Sequence, residues 1–101
     1  MTVIDTNVIL RYLLNDIQEQ ADKASKIIEE GAKSYPEIIA EVVYVLVKLY
    51  SVPREKINEI ISPITYEIAF ENAEIIRSAL ENFHKLNLIL LIAFCLPENK
   101  Y

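Results

Sequence analysis

The sequence predicts an α/β domain in which a short parallel sheet is covered by helices. Short β-branched or alternating segments are separated by stretches with helical spacing of apolar residues, the pattern of strands joined by right-handed crossovers. The chain has 101 residues, the size of one compact domain. It is 52% apolar with a single glycine, a composition that suits packed helices and short strands and argues against disorder.

Residues 2–4 are β-branched and end at Asp5, as a buried parallel strand often ends. Residues 7–14 read as a helix with Val8, Ile9, Tyr12 and Leu13 on one side. Asp16 is placed to cap a second helix, Glu19 follows in capping-box spacing, and Gly31 closes it. Ala21, Ala24, Ile27 and Ile28 form its inner stripe. Residues 33–35 are a brief extended piece, and Pro36 falls in the first turn of a helix reaching to about Tyr50. That helix is apolar nearly all round, so it is expected to be central or to lie in a subunit contact. Pro53 opens a further helix with Ile57, Ile60 and Ile61 facing in, and Pro63 stops it. Residues 64–68 alternate with a period of two and read as a strand. Asn72 starts an amphipathic helix carrying Ile76, Ala79, Leu80 and Phe83. The run 88–96 is uniformly apolar, and its periodicity does not separate a buried helix from a buried strand.

The formal net charge is −5, which excludes a global basic field for holding nucleic acid. A nucleic-acid partner has to be gripped by a local patch or through a bound cation; the alternative is a basic partner. Cys95 is the only cysteine, so no internal disulfide forms and a cytoplasmic setting is expected. The N-terminus has neither a basic region nor a cleavage site. The longest apolar run, 88–96, is far short of the ~20 residues that a membrane-spanning helix needs.

In parallel sheets, ligands collect outside the carboxyl ends of the strands. Asp5 stands at such an end, followed by Thr6 and Asn7. All three are preferred helix caps, so the turn reads either as a cap or as an acid with two polar supports. Glu41 is the only acid between Ile38 and Val47, and it is either on the helix's one solvated face or held for chemistry. Arg11, Lys48 and Arg54 are either solvated cations or contacts to RNA phosphates. Tyr12, Tyr44 and Tyr50 have the spacing of core or interface residues, with base stacking as the other reading. His84 reads as a helix C-terminal residue favoured by the dipole, and Cys95 as a buried thiol.

Ile4-Asp5-Thr6-Asn7-Val8-Ile9-Leu10-Arg11-Tyr12-Leu13-Leu14-Asn15-Asp16 closely resembles the opening of PIN-domain proteins, especially the VapC-type toxins of toxin–antitoxin pairs. Ala40-Glu41-Val42-Val43-Tyr44-Val45-Leu46, with Tyr50-Ser51-Val52-Pro53-Arg54-Glu55 after it, resembles the family's second block. Glu74-Ile75-Ile76 and Ala79-Leu80 resemble the helix that follows, so the match covers residues 2–87 of a single domain, 1–101. The resemblance implies a three-layer α/β/α fold and a Mg²⁺- or Mn²⁺-dependent endoribonuclease acting on single-stranded RNA. It implies Asp5 and Glu41 as catalytic and metal-holding acids, with Thr6 or Asn7 orienting Asp5 or holding a metal-bound water. An antitoxin protein is the implied partner.

The resemblance stops after Asn87. Where the family places its third metal acid, this chain has Leu88-Ile89-Leu90-Leu91-Ile92, and Glu98 is the only carboxylate side chain beyond. The chain is therefore expected to be a truncated or degenerate member whose sheet is incomplete at the C-terminus. With two acids, metal binding is expected to be weak and activity reduced or absent. The alternative is a non-catalytic remnant that serves for dimerisation or antitoxin binding. In the family's sheet the missing strand lies beside the first, so residues 2–4 are expected to have an open edge. The tail 88–96 or a second subunit would cover it. A homodimer is expected, with the helix at residues 36–50 as a candidate contact.

Overall fold

The computed structural model describes residues 1–82. They run β1 (Thr2–Val3), α1 (Thr6–Leu14), α2 (Gln18–Glu30), β2 (Ala32–Ser34), α3 (Pro36–Lys48), α4 (Arg54–Ile61), α5 (Ile64–Glu67), β3 (Ala69–Phe70) and α6 (Ala73–Glu81). The strands lie in the order β1–β2–β3, and both pairs are parallel, with Thr2 opposite Ala32 and Lys33 opposite Ala69. Parallel neighbours require crossovers, supplied by α1–α2 and by α3–α4–α5. This is an α/β fold with a small parallel sheet, as the spacing predicts. Among the described residues β1 is an edge strand, and Val3 is 52% exposed. No helix of the described residues is long and apolar enough to cross a membrane. The readings for Phe83, His84, Cys95 and the run 88–96 lie outside the described residues.

The core joins Ile9 of α1, Ile39, Val42, Val43 and Leu46 of α3, and Ile57 and Ile61 of α4, all essentially inaccessible to solvent. The inner stripe of α2 is buried as expected at Ala21, Ala24 and Ile28, while Ile27 is half-buried. Gly31 ends α2 at φ 110°, a left-handed region that a residue with a Cβ adopts only under strain. The aliphatic side of α3 is buried in the core, and the side carrying Glu41, Tyr44 and Lys48 faces outward.

Four expectations need correction. Asp16 does not cap α2: the N-cap is Ile17, without a side-chain bond, and the Asp16 carboxylate turns back to Arg11 at 3.6 Å. Glu19 closes no capping box; it lies 4.0 Å from Lys23. The long helix ends at Lys48 rather than Tyr50, and the chain then turns through Ser51 at φ 55°.

Residues 64–68 are not a strand. Pro63 follows the end of α4 at Ile61, as expected, but it adopts helical dihedrals and starts the separate turn α5, and the extended segment comes later, at Ala69–Phe70. Burial of Ile64, Thr65 and Ile68 follows the one-turn spacing of a helix, a pattern that five residues leave ambiguous. Arg77 of α6 holds the turn from outside. Its Nε donates to Thr65 Oγ1 at 2.8 Å, its Nη2 donates to the Thr65 carbonyl at 2.9 Å, and its guanidinium lies 3.8 Å from the Tyr66 ring centroid.

Candidate active site

The candidate site starts where β1 ends. Ile4 is buried, and its N–H donates to the Lys33 carbonyl at 2.9 Å. Its carbonyl accepts from the buried Ser34 hydroxyl at 2.8 Å, so both backbone groups of the residue before Asp5 are tied to β2. Asp5 then leaves the sheet in an extended conformation, and its Oδ1 accepts from the Val8 N–H at 3.2 Å. Asp5 is thus the N-cap of α1, as its residue type favours. The cap engages one carboxylate oxygen, and Oδ2 has no protein partner among the described residues.

Thr6 is the first residue of α1, and its hydroxyl donates to Glu41 Oε2 at 2.5 Å. This bond joins the strand-to-helix turn to the exposed side of α3. The structure therefore brings the Asp5-Thr6 turn and Glu41 together, with Thr6 as the direct link. The resemblance implied that Thr6 or Asn7 orients Asp5 or holds a metal-bound water; the side chain that the Thr6 hydroxyl bonds is that of Glu41. Asn7 is exposed and lines, with Arg11, a crevice between α1 and α2 whose lining does not include Glu41.

Beside Glu41 runs a groove of about 400 Å³ lined by Thr6, Glu37, Ala40, Glu41, Tyr44 and Val45. Glu37 escaped the sequence reading. Its place one helical turn before Glu41 was the signal that would have found it. Tyr44 and Tyr50 are 48% and 49% exposed, so neither is a core residue. Tyr12 packs against the core, and its hydroxyl donates to Glu67 Oε2 at 2.6 Å. That hydrogen bond, followed by burial and then the negative charges of Glu67 and Glu29, raises the Tyr12 pKa above its ordinary value.

Among the cations, Arg11 lies in the last turn of α1, and Lys48 in the last turn of α3, two turns beyond Glu41 on the same exposed side. Arg54 opens α4 and is half-buried. Among the described residues, no three of His, Cys, Asp and Glu are gathered closely enough to hold an ion. What the turn offers is two carboxylates, each with one oxygen already accepting a hydrogen bond, plus a hydroxyl. This all-oxygen set suits a hard cation that keeps most of its waters, and it lacks the ligands for a fully protein-bound ion.

Compared with protein-family models, curated proteins and solved structures, the chain gives no match.

Proposed function

We propose that this chain is a PIN-type, metal-dependent endoribonuclease. In this reading it is the toxin of a VapBC-like pair acting on single-stranded RNA in the cytoplasm, with an incomplete acidic site and reduced activity. The single observation that supports the reading best is the Thr6–Glu41 hydrogen bond, because it joins the two sequence blocks in which the resemblance puts the first two acids. The three-layer arrangement of the family, the homodimer and the antitoxin partner belong to the same proposal.

Asp5 Oδ2 and the Glu41 carboxylate would hold Mg²⁺ or Mn²⁺. Such an ion, when bound, lowers the pKa of a coordinated water and offsets charge on the phosphoryl oxygens. Thr6 fixes the orientation of the Glu41 carboxylate through its hydroxyl. Ser34, through the Ile4 carbonyl, fixes the backbone from which Asp5 projects. Arg11, Lys48 and Arg54 would meet RNA phosphates on either side of the cleaved bond.

The second reading is the non-catalytic remnant. It is favoured by the aliphatic residues Leu88, Ile89 and Leu90, where the family carries a third acid.

Cleavage of a labelled single-stranded RNA in Mn²⁺ separates the two. The nuclease reading expects products with the intact chain and none with Glu41→Gln. No cleavage at any Mn²⁺ concentration, or cleavage that survives Glu41→Gln, would leave the remnant as the better reading.

A further inference from the structure

We propose that the crevice between α1 and α2 is an anion subsite that binds a backbone phosphodiester of the RNA strand beside the candidate site. The crevice, about 170 Å³, is lined by Asn7, Val8, Arg11, Gln20, Lys23, Ala24 and Ile27. Four of these carry hydrogen-bond donors and two are cations; none is a carboxylate. In a chain of net charge −5 this lining presents two cations, with Asp16 and Glu19 standing just outside it at 3.6 and 4.0 Å from them, and it is the kind of local patch through which an acidic protein can hold a polyanion. The α3 groove, by contrast, is lined by Glu37 and Glu41.

The donors are under-used within the protein. Arg11 Nε–H is enclosed and has no partner among the described residues, and the closest carboxylate contact of Arg11 is Asp16 at 3.6 Å, beyond hydrogen-bond range. Lys23 approaches Glu19 only at 4.0 Å, and its side chain is 75% exposed. A phosphate oxygen would compete with Asp16 and Glu19 for this guanidinium and ammonium, and it would bring acceptors closer than the 3.6 and 4.0 Å at which those carboxylates stand. The planar Arg11 fork matches two oxygens of one phosphate, Lys23 adds a point charge, and the Asn7 and Gln20 amides add neutral donors.

Position ties the crevice to the site. Asn7 is two residues from Asp5, and Arg11 follows one turn later on the same side of α1, roughly 6 Å along the helix. A strand whose reacting phosphate lies at Asp5 and Glu41 would therefore lay a neighbouring phosphate over the crevice. The identity of the anion as RNA rests on the nuclease reading; the sign and shape of the crevice do not.

The test is binding without catalysis. A fluorescent 2′-O-methyl RNA oligonucleotide is titrated in EDTA by anisotropy, over a series of salt concentrations, against the full chain, Lys23→Gln and Lys56→Gln. Lys56, on α4, has the same charge and lies outside the crevice. Lys23→Gln is expected to weaken binding several-fold and to lower the slope of log K against log salt by about 0.7, the loss of one phosphate contact to a single strand. Lys56→Gln is expected to leave both unchanged. Arg11→Gln should weaken binding further, but the Lys23 variant decides the matter because an exposed lysine can be replaced without loosening the α1–α2 contact. Equal effects of Lys23→Gln and Lys56→Gln, or no binding by the intact chain, would overturn the subsite. Competition by inorganic phosphate as strong as by the oligonucleotide would also overturn it, because the crevice would then take a free anion. Since metal is absent throughout, failure here leaves the RNA-cleavage test standing, and failure there leaves this one standing.

Discussion

The Thr6 hydroxyl and the Glu41 carboxylate share a hydrogen bond of 2.5 Å across 35 residues of sequence. Among the described residues it is the only side-chain hydrogen bond between α1 and α3. A hydroxyl that donates to a carboxylate both holds its rotamer and leaves its other oxygen available.

Replacing Thr6 by Val keeps the shape and removes the donor. Because the pair is exposed, the expected loss is only about 1 kcal/mol. Urea denaturation of Thr6→Val beside Thr6→Ser checks this, with the serine variant close to the parent. If Thr6→Val were as stable as the parent, the bond would contribute nothing to the fold.

Asp5 caps α1, and in the proposed reading it also holds the ion; substitution can separate the two. Asn caps a helix about as well as Asp does, so Asp5→Asn should keep the stability of α1 while losing affinity for Mn²⁺. Asp5→Ala loses the cap as well and should cost about 1 kcal/mol more. Thermal melts with and without Mn²⁺ resolve the two effects.

Ser34→Ala leaves the Ile4 carbonyl without its buried donor, at an expected cost of about 1–3 kcal/mol. The damage should reach the site, because Asp5 is the next residue. Amide hydrogen exchange at Ile4 and Val8 should quicken in this variant, and unchanged rates there would disconnect Ser34 from the turn.

The Tyr12–Glu67 pair makes a pH dependence whose sign is fixed. In the folded chain the Tyr12 pKa is raised above 10.0 by its bond to Glu67, so above that pH the unfolded chain releases the tyrosine proton first. The stability contributed by the pair is therefore fully present below about pH 10 and declines as pH rises through the folded-state value. Tyr12→Phe should remove that slope, as denaturant midpoints from pH 8 upward would show.

Much of this fold could be read from spacing. The helices carrying Ala21, Ala24 and Ile28, and then Ile57 and Ile61, follow directly from apolar periodicity, and Gly31 marks a real helix end. The turn at residues 64–67 was misread because alternation over so few residues fits either structure, and its deciding partner, Arg77, lies a helix away. Asp16 misled because a capping residue at the right spacing was claimed by a cation of the preceding helix. At the site, residue types pointed to Asp5 and Glu41, but the role of Thr6 as the bridge to Glu41, and of Ser34 behind Asp5, required tertiary structure.

The most direct measurement is a double-mutant cycle on Mn²⁺ affinity by calorimetry, using the intact chain, Asp5→Asn, Glu41→Gln and the double variant. One ion shared by two carboxylates requires each single change to remove most of the affinity and the pair to remove little more. Losses that simply add, or binding indifferent to both changes, would mean that Asp5 and Glu41 do not hold a common ion.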